Sequence, residues 1–273
     1  MDISINGFKL YTNKKNHITY GFLYTKEITI PFSKEKKRTL RVWVPENYDN
    51  KKRFPVIYMT DGQNIVDKYT TAYGEWNMEE HVKALINKGN QGYIIVGLDC
   101  PKDPYNRVCE YSFKGEFKKH GKYQIEPYGD LLADFFVNKI KPLIDKSFLT
   151  NPHINGFIGS SMGGLFSFVI ASRFRHIFNF ALVFSPAFYL YKNSYYSSLL
   201  GDNDISNLGN LYFFIGGRGL EKKLLPGTKR MYELLLKLGV PSTKVMYRYD
   251  FRAFHNEKTW SKYVLEGLTF VNP

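Results

Sequence analysis

Residues 157–165 read Phe157-Ile158-Gly159-Ser160-Ser161-Met162-Gly163-Gly164-Leu165, and they decide how the rest of the chain is read. Their centre, Gly159 to Gly163, is a G-x-S-x-G sequence. A strand-like apolar run, Ile154 to Ile158, leads into it, and a helix-like apolar run, Leu165 to Ala171, leads out. A strand–turn–helix setting is what a sharp turn presenting an exposed serine requires. Side chains at Gly159 or Gly163 would meet the neighbouring strand and helix, so glycine is needed at both. The serine at the apex is pushed out at the strand's carboxyl end. The helix behind it aims free N–H groups and the positive end of its dipole at the same point, which favours developing negative charge. Ser161 is therefore the candidate nucleophile.

A serine hydroxyl needs a base within hydrogen-bond reach. Where such elbows carry a triad, the chain order is serine, acid, histidine. Of the six histidines, His17, His81, His120 and His153 precede Ser161, and His176 follows it too closely. His255 remains, 94 residues downstream (255 − 161), just after the strand-like run Val245 to Tyr249. The acid belongs after the preceding strand, Leu211 to Ile215. Glu221 is the first carboxylate there, while Asp202 and Asp204 come before that strand and Asp250 lies too close to His255. A serine–histidine dyad with no engaged acid stays open as the other reading.

Six blocks, in order, carry a resemblance. They are Val56-Ile57-Tyr58-Met59-Thr60-Asp61-Gly62-Gln63-Asn64; Trp76; Arg107 with Glu110-Tyr111; Gly159 to Gly164; Ser185-Pro186-Ala187; and His255-Asn256-Glu257 with Trp260. Together they make residues 25 to 271 resemble the esterase D and enterochelin-esterase-like branch of the α/β-hydrolases. The resemblance implies Ser161 as nucleophile, His255 as base, and the backbone N–H groups of Met162 and Gln63 as oxyanion-hole donors. Asp61, Arg107 and Glu110, in the matched blocks, become candidate substrate contacts. So does Phe188, at the head of the aromatic segment Phe188 to Tyr196, which reads either as the acyl-side wall or as a helix packing on the core. Members of that branch often carry the acid two or three positions after the glycine ending the late strand. Here Arg218 and Gly219 stand there, which keeps the third triad member open. The resemblance implies no cofactor, and no histidine–carboxylate cluster has metal spacing. The expected partner is a small-molecule ester: short-acyl carboxylic esters, aryl esters such as feruloyl or acetyl groups on carbohydrate, or siderophore trilactones. A non-catalytic binding protein on a hydrolase scaffold is the rival class, and the intact Ser161 and His255 argue against it.

The organisation agrees. Strand-like runs Glu27 to Pro31, Thr39 to Val44, Pro55 to Met59, Tyr93 to Leu98 and Phe180 to Phe184 alternate with helical patterns at Met78 to Asn87, Leu131 to Ile144 and Thr228 to Leu238. This predicts an α/β fold, specifically an α/β-hydrolase fold: a mostly parallel central sheet flanked by helices, with antiparallel N-terminal strands. One domain is expected over residues 1–273, with 1–24 as an arm or extra strand. The lysine- and tyrosine-rich stretch Pro101 to Gly129 is expected to be a loop lining the pocket. Two cysteines, Cys100 and Cys109, make no disulfide framework. The net charge of +13 is scattered along the chain without a nucleic-acid-binding motif. It reads as a lysine-rich solvated surface with a slight bias toward anionic substrates, and no nucleic-acid partner is expected. The sequence lacks a signal-peptide pattern and an 18-residue apolar run, so no membrane partner and a cytoplasmic location are expected.

Overall fold

A computed structural model describes residues 4–12, 18–49, 51–71, 74–115, 125–201 and 205–272. Its centre is one ten-stranded sheet. In chain order the strands are β1 (Ser4–Ile5), β2 (Phe8–Leu10), β3 (Phe22–Thr29), β4 (Lys37–Val44), β5 (Phe54–Met59), β6 (Ile94–Leu98), β7 (Thr150–Ser160), β8 (Phe180–Phe184), β9 (Asn210–Gly216) and β10 (Val245–Asp250). They lie in the order β1-β2-β3-β4-β6-β5-β7-β8-β9-β10. The four pairings from β1 to β6 are antiparallel and the five from β6 to β10 are parallel. The α/β-hydrolase arrangement is thus present, its N-terminal strands antiparallel. Residues 4–10 form the extra strands.

Parallel strands covered on both faces read as unbroken apolar runs, which is why Phe180 to Phe184 and Leu211 to Ile215 were legible and are fully buried. The helices are α1 (Met78–Asn87), α2 (Pro104–Glu110), α3 (Gly129–Phe135), α4 (Lys141–Ser147), α5 (Met162–Arg173), α6 (Asn193–Gly201), α7 (Glu221–Lys237) and α8 (Glu257–Val271). A π-helical turn, Phe136–Ile140, joins α3 to α4. Side chains from α1 and α8 build the apolar layer on one face, among them Val82, Trp260 and Leu268. Those from α3 to α7 build the layer on the other, among them Phe166, Tyr196 and Met231. α5 is buried on nearly every side, as a helix apolar all round must be.

One strand and three helices differ from the sequence expectation: β3 begins at Phe22, five residues before the expected Glu27, and ends at Thr29. α2 lies inside the stretch 101–129 expected to be loop; it has proline at its first position and is capped by Asp103, whose side chain accepts from the Asn106 N–H at 2.8 Å. α7 begins seven residues before Thr228 and carries Pro226 inside it, and that proline hid its first turns from a periodicity reading. α8 was not anticipated; Asn256 caps it by accepting from the Thr259 N–H at 2.9 Å.

β5 has β6 on one side and β7 on the other. Its following helix α1 lies on one face, while α5, after β7, lies on the other. The loops leaving β5 and β7 therefore diverge, and in open α/β sheets such a switch point opens a crevice at the carboxyl ends of the strands. Among the described residues no helix is long and apolar enough to cross a membrane.

Candidate active site

At the switch point lies a cleft of about 740 Å³, bordered by Asp61, Gln63, Arg107, Ser161, His255 and Trp260 among others. Ser161 sits between β7 and α5 with φ 58° and ψ −118°, a conformation rare for a residue with a side chain. Its main chain is pinned: its N–H donates to the Phe184 carbonyl at 2.9 Å, and its carbonyl accepts from the Leu165 and Ala187 N–H groups, both at 3.1 Å. The elbow glycines are sterically required. A Cβ on Gly159 would fall 2.4 Å from the Gly163 carbonyl oxygen, and one on Gly163 would fall 2.3 Å from Thr60 Oγ1.

His255 lies in the loop between β10 and α8. Its Nδ1 is 3.0 Å from Glu221 Oε1, and its ring stands edge-on to Trp260 with centroids 4.8 Å apart. Glu221 opens α7, where the helix dipole favours a carboxylate. The turn before it closes through Glu221 N–H to the Arg218 carbonyl, at 3.1 Å. That turn carries the carboxylate three positions past Arg218 and folds it back over the strand end, where Oε2 accepts from the Gly216 N–H at 3.1 Å. The Glu221 side chain is fully buried, while that of His255 keeps 16% exposure. A second donor reaches Oε1: the Ser185 hydroxyl, at 2.6 Å. Trp260 Nε1–H in turn donates to Ser185 Oγ at 2.9 Å. Ser185 and Trp260 both stand in the motif blocks, but their contact carries no sequence signal, because it needs the ends of β8, β9 and β10 side by side.

Met162 is the first residue of α5, so its N–H has no intrahelical acceptor. Gln63 belongs to a 3₁₀ turn, Gly62–Asn64, that follows Asp61 in the left-handed region at φ 55°. The turn is held from several sides. Gln63 Nε2 donates to Cys100 Sγ at 3.1 Å and its Oε1 accepts from the Cys100 N–H at 3.0 Å. Asp61 takes the Arg107 fork at 2.6 and 2.9 Å, and Arg107 lies over the Tyr111 ring, 4.9 Å from its centroid. Burial, then the Asp61 carboxylate, pushes the Cys100 thiol up, so this sulfur stays protonated and does not compete as a nucleophile. Burial also raises Glu257, which accepts from Asn64 Nδ2 at 3.2 Å.

Two candidate contacts lie elsewhere. Glu110 is buried against Arg38, whose Nη2 and Nη1 reach its carboxylate at 2.7 and 3.2 Å. Arg38 borders the cleft, so Glu110 supports the wall from behind. Phe188 packs edge-on to Phe168 at 5.1 Å and Tyr196 at 5.4 Å within the core, so the aromatic segment follows the core-packing alternative. Of the other histidines, His81 is half-buried against Ser261 and pushed down to about 4 by desolvation, and His153 and His176 are exposed. His17 and His120, with Asp202 and Asp204, lie outside the described residues. No cluster of three or more His, Cys, Asp or Glu side chains suited to a metal ion occurs among the described residues.

Removing Glu110 strands the Arg38 charge, whose side chain is only 3% exposed. Glu110→Ala is expected to lower unfolding free energy by about 3–5 kcal/mol, measured by urea denaturation.

A sequence family described as "Putative esterase" matches residues 33–264. The Bacillus subtilis protein YbbA is 21% identical over 261 residues, covering 87% of this chain and 94% of that one. The fold is similar to that of siderophore hydrolase EstA from Aspergillus nidulans, with a TM-score of 0.75 at 14% identity over 96% of this chain and 99% of that chain. It is also similar to the BES protein from Bacillus cereus, with a TM-score of 0.71 at 18% identity over 95% and 99%. A feruloyl esterase module from Clostridium thermocellum, solved with sinapinate, gives a TM-score of 0.65 at 13% identity over 99% and 95%.

Proposed function

The chain belongs to that esterase family, and from this premise we propose that it is a serine carboxylesterase working through an acyl-enzyme on Ser161. The observation that carries the reading is the 3.0 Å contact between His255 Nδ1 and the buried Glu221 carboxylate, with Ser161 and His255 opening onto one cleft. A histidine whose Nδ1–H is held by a carboxylate presents Nε2 as the proton acceptor.

In this mechanism His255 takes the Ser161 proton as Oγ attacks the ester carbonyl. The developing oxyanion is held by the Met162 and Gln63 N–H groups, each contributing about 3–4 kcal/mol. The tetrahedral adduct collapses, the C–O bond to the alcohol breaks, and His255 returns its proton to the departing oxygen. Water, deprotonated by His255, then attacks the acyl-enzyme and releases the acid and free Ser161.

A cleft of about 740 Å³ is far larger than an acetyl ester fills. Lys37, Arg38, Arg41 and Lys102 stand on its wall, with Glu35 and Asp99 among them. Size and polarity favour bulky polar esters over short acyl chains, and aryl esters and siderophore lactones are the two classes that the structural neighbours' names suggest.

The test is reaction with a fluorophosphonate probe together with hydrolysis of p-nitrophenyl esters from acetate to octanoate, and of a ferulate ester. Stoichiometric labelling and turnover are expected, with ferulate or a longer acyl chain ahead of acetate. A folded protein that neither labels nor turns over any ester removes the reading and leaves the binding-protein alternative.

A further inference from the structure

The buried Ser185–Trp260 pair has no place in the chemistry above, yet both residues touch it. Ser185 directly follows β8, in the left-handed region at φ 44°, and is fully buried. Its N–H donates to the Phe214 carbonyl at 2.7 Å, which pins the residue to the end of β9. Its hydroxyl has one proton. Trp260 Nε1–H points at the oxygen from 2.9 Å and occupies a lone pair, so the hydroxyl proton is left to face Glu221 Oε1 at 2.6 Å. The same Oε1 receives His255 Nδ1–H at 3.0 Å. Trp260 closes the circuit, since its ring also meets the His255 imidazole edge-on, 4.8 Å between centroids, while Trp76 stacks on Trp260 at 5.8 Å.

We infer that Ser185 and Trp260 are positioning residues for the reaction proposed above: an oriented donor relay, Trp260 to Ser185 to Glu221, fixes the carboxylate oxygen that orients His255. Three physical arguments carry this. A fully buried carboxylate needs donors to remain charged. Gly216 N–H serves Oε2, and without Ser185 the catalytically facing Oε1 would have only the histidine. Hydrogen bonds in such chains polarise one another, so a donor behind the serine strengthens its own donation. A single tryptophan that both donates to the serine and packs against the imidazole also couples the positions of Glu221 and His255. The inference rests on the serine-esterase reading.

The experiment compares wild type, Ser185→Ala, Ser185→Gly and Trp260→Phe. Steady-state kinetics use whichever p-nitrophenyl ester the wild type turns over, and the second readout is the downfield proton NMR resonance of His255 Nδ1–H. Glycine accepts the left-handed backbone without strain, so Ser185→Gly removes the hydroxyl even if the alanine variant fails to fold. Losing one hydrogen bond to a charged group corresponds to about a 10–100-fold effect. The expected result is that loss in kcat for both Ser185 variants, with KM within about twofold, and a displaced or broadened His255 resonance. Trp260→Phe is expected to move the same resonance in the same direction with a smaller loss of kcat. A folded Ser185 variant with wild-type kcat and an unmoved resonance overturns the inference. If the wild type neither labels with fluorophosphonate nor turns over ester, the failure lies with the esterase reading itself.

Discussion

Ser161→Ala is expected to lower kcat by about 10⁶-fold and to abolish fluorophosphonate labelling, while leaving the fold intact. The chemistry gives the size of the effect: without Oγ no acyl-enzyme forms, and the oxyanion donors alone retain only about 10³–10⁴-fold over water. The structure explains why stability is spared. What anchors residue 161 is main chain, through Phe184, Leu165 and Ala187, and alanine at φ 58° inherits the same backbone strain as serine. Ester turnover and thermal unfolding, measured on one preparation, check both halves. Loss of activity together with loss of the unfolding transition would mean that the serine is structural.

Glu221→Gln is expected to lower kcat by about 10⁴-fold, and its argument turns on one hydrogen bond. Glutamine is nearly isosteric with glutamate but has one acceptor end and one donor end. The Gly216 N–H occupies the Oε2 position at 3.1 Å, so the amide oxygen settles there. The NH₂ then occupies the Oε1 position, facing Ser185 and His255. A donor against Nδ1 holds the imidazole in the tautomer with its proton on Nε2, where it is unable to accept the Ser161 proton. The measurement is kcat on the best p-nitrophenyl ester across the pH range where wild type is active. A loss of tenfold or less would instead favour the serine–histidine dyad left open by the sequence.

The site was legible in the sequence wherever chemistry and local geometry coincide. Gly159 and Gly163 announce the elbow because no larger residue fits between β7, α5 and the β5 end, and unbroken apolar runs mark the doubly covered strands. His255 is singled out by elimination as the histidine after the late strand, and the structure brings its Nδ1 to 3.0 Å from Glu221. What stayed hidden depends on the chain returning to itself. Glu221 stands two to three positions beyond the expected place because the turn through Arg218 and Leu220, and the backward reach of a residue opening a helix, have no periodic signature. Ser185 stands in a motif block, yet its contacts with Glu221 and Trp260 exist only where three strand ends meet. Glu110 and Phe188 show the converse. A motif or an aromatic cluster indicates which residues are constrained, and only packing shows that these two face the wall and the core.

Asp61, Ser161 and Ser185 follow β5, β7 and β8, neighbours in the sheet, and all three are non-glycine residues with positive φ. Backbone conformations of this kind each cost about 1–3 kcal/mol. Glycine relieves that strain, but at 161 and 185 it would also delete the hydroxyls assigned above to the proposed nucleophile and to the proposed positioning relay. A laboratory lineage evolved for heat tolerance alone would drift toward glycine at these strand ends and arrive at a sturdier, inert protein. Selection that keeps turnover in the screen would be confined to gains won elsewhere, in the two apolar layers and the outer helices.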